Sequence, residues 1–242
     1  MKRFYSEVCT AANPDGYSIL LDDRIVKTPG KEGLTLPTGA LAEAVANEWR
    51  AQDADINPDT MPISKLANTA IDRVKPRFGE VAREIANFAG TDMLCYRASE
   101  PADLVAKQAE RWNPYLVWAK ETLNAPLETT TGIMPIQQDQ AALATLAAEV
   151  FSHDYNELTA LHEFTNGFGS IVLALAYIKG FATFDAVWQA SIIDQTAQEE
   201  AWGVDYDAVE KKENLLTDLK AACLFLSLLR DETTGKVGQD QI

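Results

Sequence analysis

The spacing of apolar residues in this chain changes once, near Pro37, and that change constrains the fold more than any other feature. Before it, short apolar runs alternate with polar residues between turn signals. Asn13-Pro14-Asp15-Gly16 reads as a turn, because proline fixes φ and glycine accepts positive φ. Residues 17–21 and 24–28 flank Asp22-Asp23 as the arms of a two-residue hairpin. Residues 4–8 and 34–36 supply further short strands. After Pro37 the apolar residues recur at every third or fourth position, the period of a helix. Thr38 caps a helix over 39–52, striped by Leu41, Val45 and Trp49. Pro62 opens a second helix, which runs to residue 74, with Pro76 just past its end. Residues 77–88 form a third, with Phe78, Val81, Ile85 and Phe88 on one face. Residues 93–96 read as a short strand or extended link. A helix over 103–123 contains Pro114, which is expected to break or kink it. Residues 124–137 read as a loop. Helices follow over 138–151, 154–165, 168–179, 184–202 and 205–229, and a polar tail starts at Asp231. The expected fold is α+β: a small antiparallel β-rich N-terminal domain with one helix, residues 1–60, then a larger C-terminal α-helical bundle domain, residues 61–242.

A formal net charge of −15 over 242 residues bounds the partners. It repels phosphates and so argues against nucleic acid. It suits a basic or mixed-charge protein partner, or it only keeps the chain in solution. The longest apolar run, residues 171–178, is far too short to span a bilayer, so no membrane insertion is expected. The amino terminus, Met1-Lys2-Arg3-Phe4-Tyr5, lacks a secretory apolar region. These features point to the cytoplasm, with a removed organelle presequence left open if the source is a eukaryote. Cys9, Cys95 and Cys223 have apolar neighbours and read as buried free thiols.

The carboxy-terminal half carries little chemistry. Between Glu149 and Glu210 stand eleven acidic side chains and one basic one, Lys179. His153 and His162 match no metal spacing, so no metal ligand is assigned. Asn166-Gly167-Phe168-Gly169-Ser170 follows a helix and lacks a phosphate-loop lysine, so it reads as a tight interhelical turn. No nucleophile elbow is present. Asp194 and Glu199 are a carboxylate pair that acid–base chemistry could use. A solvated acidic face is the commoner role, and no catalytic residue is assigned.

One helix breaks the pattern. Over residues 183–202, Phe184, Val187 and Trp188 share a face that continues through Ser191, Gln195, Gln198, Glu199 and Trp202, with Asp194 at its edge. The face that begins apolar ends polar and acidic. An unpaired carboxylate in an apolar core costs several kcal/mol. Either these groups are buried against internal donors, with Arg73, Arg77 or Arg83 as candidates, or they form an open surface whose indole anchors a partner. The exposure of Trp202 separates the two.

Several blocks resemble a known family. They are Leu34-Thr35-Leu36-Pro37-Thr38, Glu48-Trp49, Leu66-Ala67-Asn68-Thr69-Ala70-Ile71-Asp72-Arg73-Val74, Gly90-Thr91-Asp92-Met93-Leu94-Cys95-Tyr96-Arg97-Ala98, residues 108–112, Gly169-Ser170, and Asp194 through Gln198 to Trp202-Gly203. Together they resemble the ATP synthase F-one assembly chaperones of mitochondria and alphaproteobacteria, which bind the free alpha subunit. The resemblance spans residues 4 to 229. It implies a non-enzymatic chaperone that needs no cofactor, located in the mitochondrial matrix if the source is a eukaryote, and the chain is expected to act as a monomer. Such a protein masks the alpha-subunit surface that the beta subunit will later cover. Asp194, Gln198 and Trp202 match the family pattern, and with Glu199 they are the candidate partner-binding residues. Gln195 departs from the acidic residue often found beside Asp194. Two other readings remain: a constitutive adaptor that stays in a finished complex, and a carboxylate-dependent enzyme.

Overall fold

A computed structural model describes residues 1–132, 134–203 and 205–231. Its architecture is α+β, a small antiparallel sheet followed by many helices. The polar tail after Asp231 lies outside the described residues.

The sheet begins with β1 (Val8–Asn13) and β2 (Gly16–Leu21), which are antiparallel with Val8 opposite Leu21 and Asn13 opposite Gly16. The turn between them needs Gly16. Its φ is +135°, and a Cβ there would stand 2.3 Å from the Leu36 carbonyl oxygen. β2 then pairs with β3 (Arg24–Ile25) through the anticipated two-residue turn. Asp22 and Asp23 have φ of 46° and 65°, the left-handed pair that matches strand twist. β4 (Thr35–Leu36) pairs with the other end of β2. The first strand starts later than its sequence suggests. The backbone N–H groups of Ser6 and Glu7 donate to the Asp22 carboxylate instead of to a strand. Those two bonds hold the Asp22 carboxyl below its usual range.

α1 (Gly39–Arg50) is capped by the Thr38 hydroxyl, which accepts from the Leu41 N–H and buries Leu41, Ala42, Val45 and Ala46. α2 (Pro62–Thr69) has proline in its first turn. The coil does not stop at residue 74. A π turn over Ala70–Val74 and a 3-10 turn over Lys75–Arg77 carry it into α3 (Phe78–Asn87). Pro76 is absorbed where the hydrogen-bond ladder has already changed pitch.

Residues 93–95 form a 3-10 turn, followed by β5 (Tyr96–Arg97). α4 (Ala102–Thr122) runs unbroken through Pro114. Pro114 is exposed, so the carbonyl it leaves unbonded can be hydrated. β6 (Thr130–Thr131) lies inside the expected loop and pairs in parallel with β5. The remaining helices are α5 (Gln140–Phe151), α6 (Tyr155–Phe168), α7 (Ile171–Ile178), α8 (Phe184–Ser191), α9 (Ile193–Trp202) and α10 (Tyr206–Arg230). The expected helix over 184–202 is therefore two helices. Met1–Phe78, Tyr155–Ala160 and the described part of Lys220–Ile242 make one compact unit, and Gly79–Asp154 with Leu161–Leu219 make a second. No helix among the described residues is long and apolar enough to cross a membrane. Cys95 is buried and Cys223 half-buried, whereas Cys9 is exposed on the outer face of β1, contrary to the expectation for it.

The core of the second unit is α7, whose residues are all buried except the half-buried Tyr177. Its amino end is fixed by a buried carboxylate. Asp92 accepts from Ser170 Oγ at 2.8 Å, Val172 N at 3.1 Å and Leu94 N at 3.0 Å. These are helix-terminal donors that would otherwise be orphaned. Burial nevertheless pushes the Asp92 carboxyl up from 3.8 to about 6, with donors from Val172, Leu94, Ser170 and Ile171 opposing.

Two outcomes follow from this arrangement. Asp92→Ala strands the three donors and lowers stability by about 3 kcal/mol or more, read by urea unfolding. The native state binds the Asp92 proton more tightly than the unfolded chain does. The contribution of this group to stability therefore falls as pH rises from about 4 to about 6. The stability advantage of the wild type over Asp92→Asn shrinks across that window, and a pH-independent difference contradicts the assignment.

Candidate functional site

α8 and α9 are separated at Ile192, where φ is −103° and ψ is 9°. No glycine or proline marks the position. Ser191 Oγ donates to the Trp188 carbonyl at 2.8 Å and competes for the acceptor that helix continuation uses. The slip alters the phase of everything after it. Val187 and Trp188 are buried against the core, whereas no residue of α9 is buried. The polar half of the expected stripe therefore lies on an exposed helix.

α9 packs on α4. Between them opens a hollow of about 870 Å³. Asp194, Gln198 and Trp202 line one side of it, and Arg97, Pro101, Leu104 and Gln108 line the other. Trp202 is 83% exposed at the end of α9, and Tyr206 is 86% exposed four residues on. Helical spacing places Tyr206 on one side of the last helix with Val209, Leu216, Leu219, Cys223 and Leu226, yet unlike the buried Leu219 and Leu226 it stands in solvent. Gly203 ends α9 at φ +90°, a left-handed value that glycine adopts without strain.

Hydrogen bonds fix the floor of the hollow. Gln108 is buried, and its Nε2 donates to Asp194 Oδ1 at 2.6 Å while its Oε1 accepts from Ala98 N at 2.8 Å. Arg97 donates from Nη1 to the Gln108 carbonyl and from Nε to the Leu94 carbonyl. Its guanidinium lies 5.0 Å from the centre of the Trp112 ring. Trp112 Nε1 donates in turn to the Ala190 carbonyl in α8. The second terminal nitrogen of Arg97, Nη2, is enclosed without a partner. Burial pulls the Arg97 guanidinium below its usual range, and the Asp194 carboxylate opposes that pull. On the rim, Lys107 Nζ meets Glu200 at 3.3 Å.

Glu199 does not face the hollow. Its carboxylate accepts from Lys212 Nζ at 2.7 and 2.8 Å and from Gln195 Nε2 at 3.0 Å, and it joins α9 to α10. The donors to Asp194 and Glu199 are therefore Gln108, Gln195 and Lys212; Arg73, Arg77 and Arg83 are not among them. Arg97 and Gln108 belong to the resembling blocks, but helical stripes alone do not mark them as part of this site. The spacing of Gln108 and Trp112, one helical turn apart on α4, was the available signal for that floor.

The arrangement suits recognition of polypeptide. An exposed indole, apolar stretches from Pro101 and Leu104, and charges of both signs make a surface with anchor and polar rim. Burial raises the Cys95 thiol beneath it to about 12, so the sulfur stays protonated. Among the described residues no three His, Cys, Asp or Glu side chains are grouped to hold a metal ion.

Comparison with known proteins adds sequence and fold relatives. The ATP12 chaperone protein family model matches residues 2–120. Atp12 from Paracoccus denitrificans is 41% identical with a TM-score of 0.91, covering 95% of this chain and 98% of that one. A point mutant of Atp12p from P. denitrificans matches with the same values. A protein from Agrobacterium tumefaciens is 38% identical with a TM-score of 0.89, covering 94% of this chain and 86% of that one.

Geometry separates these side chains by their effect on stability. Trp202→Ala removes an exposed group and changes unfolding free energy by less than about 0.5 kcal/mol. Glu199→Gln breaks a half-buried pair and lowers it by about 1 kcal/mol. Urea unfolding of both variants checks the order, and a larger loss for Trp202→Ala contradicts it.

Proposed function

We propose that this chain, which belongs to the ATP12 chaperone family, is a chaperone of ATP synthase assembly whose client is the free alpha subunit of the catalytic head. It holds that subunit out of aggregation until the beta subunit arrives. It acts as a monomer without a cofactor and carries no catalytic residue, in the bacterial cytoplasm or the mitochondrial matrix. One observation supports the reading above the rest: Asp194, Gln198 and the largely exposed Trp202 converge on a single open hollow.

An orphan subunit displays an interface built to be covered, apolar at its centre and prone to self-association. A chaperone must cover that surface and then yield it. Trp202 supplies a rigid apolar anchor at low entropic cost. Asp194 and the acidic rim attract a basic or mixed-charge client and speed its encounter. Glu199 acts at one remove, because its pair with Lys212 fixes the helix that presents the other three. A carboxylate enzyme would enclose Asp194 away from water, whereas this carboxylate is exposed and hydrogen-bonded to an amide.

Light scattering of free alpha subunit with equimolar chaperone tests the reading. The wild type suppresses the rise in scattering. Trp202→Ala weakens client binding by about 2 kcal/mol or more and keeps a near-native thermal melt, whereas Asp194→Lys slows association and also lowers stability by about 1–3 kcal/mol, because it strands the buried Gln108 amide. An aggregation curve unchanged by the wild type overturns the proposal. Stoichiometric presence of the chain in finished ATP synthase would show an adaptor instead.

A further inference from the structure

The first compact unit contains a second hollow, of about 770 Å³, remote in sequence from Trp202. That size falls within the range of roughly 300–1,000 Å³ typical of clefts that hold ligands. Its walls come from the ends of α1 and α2 and the loop after β3. Ile56 and Met61 are buried in its apolar part, beside Pro29 and Pro58. Two lining side chains leave a polar atom unbonded. Trp49 Nε1, a donor, and Asn68 Oδ1, an acceptor, are both enclosed and have no hydrogen-bond partner. Trp49 is otherwise held firmly: its carbonyl accepts from the Tyr5 hydroxyl at 2.7 Å, and the two rings meet edge to face. Unpaired buried polar atoms are rare, and a donor and an acceptor on side chains of one cleft are the complement of the N–H and C=O that one residue of an extended strand presents along the same edge.

The charge of this cleft runs against that of the chain. Lys27, Lys65 and Arg73 line it with a single carboxylate, Asp72, while the whole chain carries −15. Asp72 is already engaged, accepting from Thr28 Oγ1 at 2.5 Å and from Gly30 N at 2.7 Å. Lys65 pairs with Asp59 at 3.6 Å on the exposed surface. Lys27 and Arg73 make no ion pair among the described residues. A cleft with apolar seats, one free donor, one free acceptor and a cationic rim fits one class of ligand.

We propose that this cleft binds an extended polypeptide segment that carries an acidic side chain. Small rotations of the two side chains open the enclosed atoms, so that a peptide carbonyl accepts from Trp49 Nε1 and a peptide N–H donates to Asn68 Oδ1. Apolar side chains of the segment rest on Met61 and Ile56, and its carboxylate lies toward Lys27 and Arg73. The inference is independent of the role given to Trp202, because it uses no residue of that hollow.

The test is fluorescence anisotropy of a fluorescein-labelled heptapeptide, Val-Thr-Val-Glu-Val-Thr-Val-amide, titrated with the full chain. Saturable binding is expected, and lysine in place of the central glutamate weakens it about threefold to fivefold. Trp49→Phe keeps the ring and removes the donor, and Asn68→Leu removes the acceptor; each weakens binding about tenfold. Lys27→Glu, at an exposed position where folding is not at risk, abolishes the preference for the acidic peptide. Trp202→Ala binds the peptide as the wild type does, whatever the outcome with the alpha subunit. The proposal is overturned by no saturable rise up to millimolar chain. Unchanged affinity in both Asn68→Leu and Lys27→Glu also overturns it, as does loss of binding in Trp202→Ala.

Discussion

Asp92 sits in the core and pairs with no cation among the described residues, yet three donors converge on it from Leu94, Ser170 and Val172. That carboxylate fastens the amino end of the buried helix α7 to the segment that leads into β5. From there polar contacts run outward. The Leu94 carbonyl accepts from Arg97, Arg97 donates to the Gln108 carbonyl, and the Gln108 side chain donates to Asp194 at the rim of the hollow. Each link is 3.0 Å or shorter. The position of the outermost acidic group is thus set from the core, and the surface it belongs to is organised before any partner arrives. A preformed surface loses less entropy on binding, which favours a chaperone that must engage and release quickly.

The slip at Ile192 completes that surface. An unbroken helix would have carried Gln195, Gln198, Glu199 and Trp202 along the same face as Val187 and Trp188. The core would then have met carboxylates and amides, at a cost of several kcal/mol. With the ladder interrupted, the polar turns ride outside, Glu199 finds Lys212, and the indole stands in solvent. The conflict visible in the helical projection is resolved by geometry, without Arg73, Arg77 or Arg83 as donors to Asp194 or Glu199.

How far the sequence could be read depended on the range of the forces involved. Local signals carried through. The Asp22-Asp23 turn, the Thr38 cap and the Pro62 helix start each rest on bonds within a few residues, and all three stand where expected. Long-range and solvent effects did not. β6 forms because Thr130 meets Tyr96 across a gap of more than thirty residues, which no local pattern encodes. Pro114 stays within α4 because its side of the helix faces water. Of the candidate residues, Asp194, Gln198 and Trp202 were legible as polar positions on one stripe. Glu199 shared that stripe but faces Lys212, since its partner lies on a helix beyond the reach of the projection. Gln108 and Arg97 came from a different helix and strand, and only the fold brings them beneath Asp194.

The central claim is that the hollow beside Trp202 receives the client. Its most direct measurement places a photo-crosslinking amino acid at position 198, in the wall of the hollow, and irradiates the chain with free alpha subunit. The account predicts a covalent adduct with the alpha subunit that disappears when beta subunit is added first. Full protection of the alpha subunit from aggregation with no adduct from position 198 would contradict it.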